Sequence, residues 1–187
     1  MLVVTGLVCV LALIGSISVQ AQESVDRLLS EVGQLHSQGR YTEALPVAEQ
    51  AVDLARKEHG EEAPEFALAV SRLAYTYHMQ GRFAVAEPPY LRSLGIWEKA
   101  GVSEHTDVAT TLDNLAELYR AQSRFAEAEP LYKRSLAMRE KLLGRDHASV
   151  GTTLNNLGLL YHAQSRFAEA ETLYQRSLAI RERALPP

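Results

Sequence analysis

The chain has 187 residues, of which 47% are hydrophobic, and its 19 basic and 23 acidic residues leave a net charge of −4. Because charges of both signs are well mixed, the composition argues against a nucleic-acid partner, which needs a basic patch, and gives no sign of disorder. Cys9 is the only cysteine, so neither a disulfide framework nor a cysteine-based zinc site is possible.

The N-terminal segment differs from the rest of the chain. It has no charged side chain before Glu23 and is apolar from Leu2 to about Ile17. Val19-Gln20-Ala21 then forms a small-x-small pattern, so residues 1–21 are predicted to be a secretory signal peptide of an exported (secreted or periplasmic) protein. The alternative is an uncleaved membrane anchor over residues 2–19, because this apolar run is close to the length that spans a bilayer.

A 42-residue period organises everything that follows. The string SRFAEAEPLY at 123–132 returns as SRFAEAETLY at 165–174, and 24 of the 32 residues are identical between 109–140 and 151–182. A fixed period of this size predicts stacked structural repeats, each of which mainly contacts its neighbours. The predicted units are a degenerate first repeat at 22–63, a second repeat at 64–105, a third at 106–147 and a fourth at 148–187.

Each repeat is predicted to contain two helices. In the third repeat, apolar residues recur at helical spacing over 106–121 and again over about 125–143, with a short turn between the two stretches. Thr106 or Ser103 is expected to cap the first helix, and Gly144 to end the second. The fold class is therefore all-α, an α-solenoid of about four stacked antiparallel helix pairs.

Three prolines at equivalent places, Pro46, Pro88 and Pro130, complicate the second helix of each unit. A proline inside a helix costs about 3 kcal/mol, whereas in the first turn its missing N–H costs less. We therefore expect each second helix to begin close to its proline or to be slightly kinked there.

The repeats resemble a known family. Leu115-Ala116 with Tyr119, followed by Ala128, Tyr132 and Ser135, resembles a tetratricopeptide repeat, and the strings TTLDNLAELYRAQSRFAEAEPLYKRSLAMREKLLGRDH and TTLNNLGLLYHAQSRFAEAETLYQRSLAIRERAL resemble the repeats of kinesin light chain. The resemblance is weakest over 22–60, where Glu31 and Ala48 replace an expected leucine and tyrosine. It implies a repeat type and a mode of binding, but not motor function, because no long heptad region is present.

The resemblance also implies that the first helices of successive repeats line a concave groove. Four columns of residues at 42-residue spacing then face it: Ser30, Arg72, Asn114 and Asn156; His36, His78, Arg120 and His162; Leu29, Ser71, Asp113 and Asn155; and Gly33, Tyr75, Glu117 and Leu159. The candidate peptide-binding residues are Arg72, Asn114, Asn156, His78, Arg120, His162, Asp113, Asn155 and Glu117. Related repeats commonly use asparagine at this place to bind an extended peptide, since an amide both donates and accepts hydrogen bonds.

Each column has a simpler interpretation, which is a solvated polar helix face. The histidine column either is such a face or binds carboxylates more strongly below about pH 6.5, where histidine becomes charged. Arg82, Arg124 and Arg166 lie at turns and are expected to play structural roles, such as capping or pairing with a nearby glutamate. His105 and His147 are not expected to share a metal, because equivalent residues of adjacent repeats lie about 8–10 Å apart.

Three function classes remain to be weighed. The regular repeats and polar columns favour a scaffold that binds a peptide or protein segment in the groove. The alternative is a self-assembling module, a possible homo-oligomer, or a fragment of a longer array that associates through an uncapped C-terminal end. No nucleophile–base motif, H-E-x-x-H, P-loop or dinucleotide fingerprint occurs, so an enzyme is not predicted and no metal or cofactor is expected.

Overall fold

Eight α-helices and no strands form the described part of the chain, which covers residues 24–184 of a computed structural model. The predicted signal peptide and the alternative anchor both lie outside these residues. The helices are α1 Val25–Ser37, α2 Tyr41–His59, α3 Pro64–Met79, α4 Phe83–Lys99, α5 Thr106–Ala121, α6 Phe125–Leu143, α7 Ala148–Ala163 and α8 Phe167–Ala184. None of these eight helices combines the length and the apolar character that crossing a membrane requires.

The helices pack in sequence order, as the solenoid prediction requires. Each helix contacts the next one along the chain, and the first helices of neighbouring repeats (α1, α3, α5 and α7) also contact one another. Within residues 24–184 the second helices (α2, α4, α6 and α8) make no such contacts with each other. The first helices therefore lie on the inner side of the stack. The predicted all-α solenoid of helix pairs is confirmed.

Small residues allow the two helices of each pair to approach closely. The alanines that open each second helix are at most 1% exposed: Ala44, Ala86, Ala128 and Ala170. A serine hydroxyl two turns further along then donates to a carbonyl of the first helix in three repeats, as in Ser135 Oγ to Ala109 O at 2.9 Å. A buried, satisfied hydroxyl at this place fixes the helix pair without leaving a polar group unpaired.

The tight turn inside each repeat needs one residue in the left-handed conformation. Gly39 and Gly81 fill this place in the first two repeats, with φ of 72° and 74°, whereas Ser123 and Ser165 fill it in the last two, with φ of 62° and 61°. The next residue, an arginine in all four repeats, donates its backbone N–H to a carbonyl five residues earlier at 2.8–3.0 Å. The turn therefore keeps the same backbone geometry in the last two repeats, although serine is less suited than glycine to the left-handed conformation.

The helix boundaries of the third repeat are as predicted, and Gly144 does end α6. The predicted N-cap is wrong, because His105, not Thr106 or Ser103, caps α5: its Nδ1 accepts a hydrogen bond from the Asp107 N–H at 3.3 Å. His147 caps α7 in the same way, at 3.1 Å from the Ser149 N–H. These two histidines are thus helix caps at equivalent places.

The expectation that each second helix begins close to its proline is wrong as well. The second helices begin five residues before Pro46, Pro88 and Pro130, so these prolines lie inside the helices rather than in the first turn. All three are exposed, and the carbonyl that each deprives of a donor belongs to an exposed residue four positions earlier, where water can replace the lost bond. The turn geometry, and not the proline, sets where these helices begin.

A glutamate on one second helix holds the turn of the following repeat. Glu129 of α6 accepts hydrogen bonds from Arg166 at 2.8 Å and from the Tyr161 hydroxyl at 2.9 Å, and Lys133 lies 2.7 Å away. Partial burial alone would raise the pKa of Glu129, but the hydrogen bonds from Lys133, Arg166 and Tyr161 outweigh it and lower the pKa to about 2. The arginine also stacks on the tyrosine, with the guanidinium carbon 3.7 Å from the ring centre. We call this group the inter-repeat clamp.

The clamp occurs at two of the three junctions. Glu87 binds Arg124 at 2.7 Å and Tyr119 at 3.0 Å, in the same arrangement as Glu129 one repeat later. At the first junction Leu45 occupies the glutamate position, and Arg82 only stacks on Tyr77, 4.5 Å from the ring centre. The sequence-based expectation of structural roles for these arginines is confirmed for the two that are clamped.

Replacing the strained serines is expected to stabilise the array. Ser123→Gly and Ser165→Gly should each raise the free energy of unfolding by about 1 kcal/mol, since a left-handed conformation costs a non-glycine residue about 1–2 kcal/mol and glycine returns part of this as entropy. Urea unfolding followed by circular dichroism measures the change. The reverse substitution, Gly81→Ser, is the control and should lower stability by a similar amount. If the serine and glycine forms of the protein had equal free energies of unfolding, the serine backbone would not be strained at these positions.

Removing a clamp carboxylate is expected to weaken one junction. Glu129→Ala should lower the free energy of unfolding by about 1–2 kcal/mol, because it removes the charge-assisted hydrogen bonds from Arg166, Tyr161 and Lys133 at a partly exposed site. Glu171→Ala is the matched control. Glu171 holds the same position on α8, but its hydrogen-bond partner in the described residues is Gln175. Equal losses in the two variants would show that helix propensity, and not the clamp, is being measured.

Candidate functional site

The first predicted column lies on the inner surface and remains available. Arg72 is 36% exposed at its side chain, and Asn114 and Asn156 are half-buried on the neighbouring first helices. Within residues 24–184 neither asparagine side chain makes a hydrogen bond, and the Arg72 guanidinium lies 3.7 Å from Asp107 Oδ1, beyond hydrogen-bond distance. These three side chains therefore have donors and acceptors to spare.

The histidine column divides into buried and exposed members. His78 is only 8% exposed and packs edge-on against Phe83 and Tyr90, with ring centres 5.5 and 6.3 Å apart. His36, in the same column, lies 2.8 Å from the Thr76 hydroxyl, whereas His162 is exposed. His78 is thus a core residue at the second repeat rather than a groove contact, because the aromatic residues around it cover its ring.

The pKa values of the buried histidines also change the expected response to pH. Burial, with a further contribution from the Arg72 charge, lowers the pKa of His36 to about 4. Burial likewise lowers the pKa of His78, although Glu117 opposes it. The expectation that this column charges below about pH 6.5 is therefore wrong for His36, which stays neutral down to about pH 4, and the lowered pKa of His78 moves its charging to a pH below the ordinary value.

Glu117 and Arg120 satisfy each other. Arg120 donates to both carboxylate oxygens of Glu117, at 2.9 and 2.5 Å, and the Tyr132 hydroxyl adds a third bond at 2.9 Å. Burial would raise the pKa of Glu117, but these hydrogen bonds from Arg120 and Tyr132 lower it. The pair brings no net charge to the inner surface, and its donors and acceptors are largely used.

Asp113 is not in the groove. It is 7% exposed and lies between helices, where Thr153 of α7 donates to it at 2.7 Å and Arg139 of α6 lies 3.1 Å away. Burial is the dominant effect on its pKa, which is raised despite the Arg139 charge. Asp113 therefore links the third and fourth repeats. Asn155, its equivalent one repeat later, is half-buried and free of hydrogen bonds in the described residues.

Aromatic side chains also line the inner surface at the first junction. Tyr75 is half-buried, with its ring centre 4.9 Å from that of His36 and 6.5 Å from that of Tyr41. The 42-residue period placed Tyr75 in the groove column with Glu117, although Tyr75 was not among the candidate binding residues. The N-terminal half of the surface is therefore aromatic around Arg72, and the C-terminal half presents amides.

The chemistry of this surface is that of hydrogen bonding and packing. Among residues 24–184, no three His, Cys, Asp or Glu side chains come together in an arrangement that could hold a metal ion. Three of the polar groups with spare bonding capacity, Arg72, Asn114 and Asn156, lie at equivalent positions on three successive first helices. Such a row suits an extended ligand that crosses the helices.

Comparison with solved structures finds the same fold. BtubC (BKLC) from P. vanneervenii is 24% identical, with a TM-score of 0.72 over 89% of this chain and 69% of that chain. A putative kinesin light chain of Podosopora anserina with nearly identical TPR-like repeats is 25% identical, with a TM-score of 0.72 over 87% of this chain and 77% of that chain. The apo form of RapI is 16% identical, with a TM-score of 0.68 over 86% and 43%.

A search of curated proteins finds no match. The family model for the tetratricopeptide repeat matches three overlapping stretches, residues 26–99, 65–141 and 107–183, which together span nearly all of the described helices. The chain therefore belongs to the tetratricopeptide repeat family, with repeats of the kinesin light chain type.

Proposed function

We propose that this protein is a non-catalytic scaffold that binds an extended segment of a protein partner along the inner surface of its first helices. Tetratricopeptide repeats generally mediate protein–protein interaction, and their concave surfaces are the usual binding face. The observation that supports this use here is that the amides of Asn114 and Asn156 are half-buried and make no hydrogen bond in the described residues.

The spacing of the helices suits an extended backbone. Neighbouring packed helices lie about 8–10 Å apart, and an extended chain advances about 3.3 Å per residue. Asn114 and Asn156 would therefore contact ligand residues about three positions apart. Each amide can donate to a backbone carbonyl and accept from a backbone N–H, so this recognition does not depend on the ligand's side chains.

Arg72 supplies a different kind of contact. Its guanidinium has unused N–H donors, whereas those of Arg120 are directed at Glu117. A carboxylate or carbonyl of the ligand that lies across the second repeat would be bound there, against the half-buried ring of Tyr75. Arg72 and Tyr75 thus add side-chain selectivity to the backbone recognition by the two asparagines.

We also propose that the protein is exported and binds its partner outside the cytoplasm. The support is the sequence of residues 1–21, an apolar segment that ends in the small-x-small pattern Val19-Gln20-Ala21. The mature N-terminus, read by mass spectrometry on protein expressed from the complete sequence, tests cleavage after Ala21. A retained segment would instead favour the membrane anchor.

Removing the three groove contacts together is expected to abolish partner capture. With about 1 kcal/mol per lost hydrogen bond, the triple variant Arg72→Ala, Asn114→Ala and Asn156→Ala should bind about 100-fold more weakly. The measurement is retention of proteins from an extract of the producing cells, followed by titration of each retained protein.

The matched control removes the same kinds of side chain from the outer helices. The control triple variant is Gln50→Ala, Arg134→Ala and Gln175→Ala, all exposed on second helices. It should retain the same partners as the natural chain. If the same partners still bind the groove triple variant, and circular dichroism shows that this variant is folded, the proposed binding surface is contradicted.

Acid is expected to weaken the fold at the first junction rather than to strengthen binding through His36. Between the ordinary histidine pKa of 6.5 and about 4, unfolded His36 is protonated while folded His36 is neutral, so stability falls as pH falls through this window. His36→Gln should reduce that fall in thermal unfolding experiments. His162→Gln, at an exposed place in the same column, is the control. If the dependence of thermal stability on pH were the same in His36→Gln as in the natural chain, His36 would not be neutral in the folded protein over this window.

A further inference from the structure

An apolar pocket lies between the second and third repeats, at the N-terminal ends of α3 and α5. Its cavity of about 160 Å³ is walled by α3, by the end of α4 and by the linker that leads to α5. Four apolar side chains contribute to the lining: Pro64, Leu68, Trp97 and Val102. A cavity of about 150 Å³ with apolar walls holds a molecule the size of benzene, so this one has room for a branched aliphatic side chain. We call it the linker pocket.

The apolar lining is specific to this junction, although the repeats otherwise resemble one another. One repeat later, polar residues or glycine take the four apolar places: Thr106, Thr110, Arg139 and Gly144. One repeat earlier, three of the places are again polar or small: Asp26, Ala55 and Gly60. Leu68 and Val102 are only half-buried, so part of each side chain stays accessible beside the cavity. Stacking of the repeats does not require this lining, because the other junctions stack without it.

The linker pocket adjoins the proposed binding surface. Glu65 and Leu68, which line the pocket, lie seven and four residues before Arg72 and therefore on the same side of α3. Asp107, which lines the pocket from α5, lies two helical turns before Asn114 on the same side of that helix. Across the two helices, the Arg72 guanidinium is 3.7 Å from Asp107 Oδ1. A segment held by Arg72 and Asn114 therefore passes within side-chain reach of the pocket.

The rim of the pocket away from Arg72 is acidic. Glu65 is exposed and makes no ion pair among the described residues, and the same holds for Glu62 in the linker before α3. Asp107 differs, because the Arg72 guanidinium lies beside it and compensates part of its charge. The uncompensated charge next to the apolar walls is thus negative, and it complements a basic side chain.

We propose that the linker pocket is a specificity subsite that takes one leucine-sized apolar side chain of the bound segment, while Glu65 binds a basic side chain two residues away. Side chains two residues apart point to the same side of an extended chain, so one can fill the pocket while the other reaches its rim. The subsite rests on the proposed function, because the segment that it anchors is the one bound along the inner surface. Asn114 and Asn156 then bind the ligand's backbone, and the linker pocket selects its sequence.

Trp97 provides a direct signal of occupancy. It lines the pocket and is the only tryptophan of the chain, so its indole N–H gives one resonance in a ¹H–¹⁵N correlation spectrum. The probe is the tripeptide Ac-Leu-Gly-Lys-NH₂. It should shift this resonance saturably with a Kd of about 1 mM, because one filled pocket and one exposed ion pair give little affinity.

Two matched tripeptides separate the apolar contact from the charge. Ac-Ala-Gly-Lys-NH₂ lacks the side chain that fills the pocket, and Ac-Leu-Gly-Glu-NH₂ reverses the charge at its rim. Each should bind about fivefold more weakly than Ac-Leu-Gly-Lys-NH₂.

Variants of the protein show whether the pocket residues make the contact. Glu65→Gln should weaken binding of Ac-Leu-Gly-Lys-NH₂ about threefold, as expected for an exposed ion pair. Glu62→Gln, at an exposed glutamate outside the pocket lining, is the matched control and should bind normally. Leu68→Thr introduces the residue of the next repeat and should weaken binding about fivefold. The double variant Asn114→Ala, Asn156→Ala should bind normally, since the tripeptide does not need the asparagines.

Three results would overturn the proposal. They are an indole resonance that stays in place at about 20 mM tripeptide, equal binding of the three tripeptides, and unchanged binding in both Glu65→Gln and Leu68→Thr. Because Glu65 is exposed, Glu65→Gln remains informative even if Leu68→Thr unfolds. Partner capture that is lost in the groove triple variant, together with an unmoved indole resonance, would leave the scaffold function standing and overturn the subsite alone.

Discussion

A carboxylate that reaches from one repeat to the turn of the next couples the repeats at two of the three junctions in the described part of the chain. Glu87 and Glu129 each bind an arginine that also stacks on a tyrosine, so a single side chain fixes both the turn and the distance between repeats. Each helix pair has too little apolar surface to bury alone, and its stability comes from its neighbours. The first junction, which has Leu45 in place of the glutamate, is held by aromatic packing around Tyr75 and by hydrogen bonds from Tyr77 to Glu49 and from Gln80 to the Tyr41 carbonyl. The junctions are therefore coupled by different interactions.

This difference in coupling shapes the inner surface. At the first junction the aromatic rings and the neutral His36 occupy the space between helices, and Arg72 is left at their edge. At the later junctions the clamp connects the repeats on the outer side. On the inner side, the amides of Asn114 and Asn156 make no hydrogen bond in the described residues. A surface that is apolar and cationic at one end and neutral and amide-rich at the other would orient an extended ligand along the stack.

The sequence predicted the period, the helix pairs and the helix boundaries within the third repeat because all three follow from local pattern and repetition. It could not predict which polar residues the neighbouring repeats would cover. Asp113 shares the inner face of α5 with Asn114, but Arg139 and Thr153 come from other helices, and only the packed structure shows that they enclose it. The prediction that the second helices begin close to their prolines was wrong for a related reason. Their cost depends on whether the affected carbonyl meets water, and this is set by the outer position of the second helices.

Differences between copies do not by themselves identify functional positions in a repeat protein. Aspartate at 113 is bound by Thr153 of the following repeat as well as by Arg139, and histidine at 78 against arginine at 120 reflects an aromatic pocket in one repeat and a glutamate in the other. Asn114 and Asn156, by contrast, are the same in both repeats, yet neither has a structural partner in the described part of the chain. A repeated polar residue that the fold does not use is the stronger indication of a ligand, since water is otherwise its only source of hydrogen bonds. By that criterion the two asparagines and the loosely paired Arg72 define the proposed binding surface, and Asp113, His78 and Glu117 support it from within.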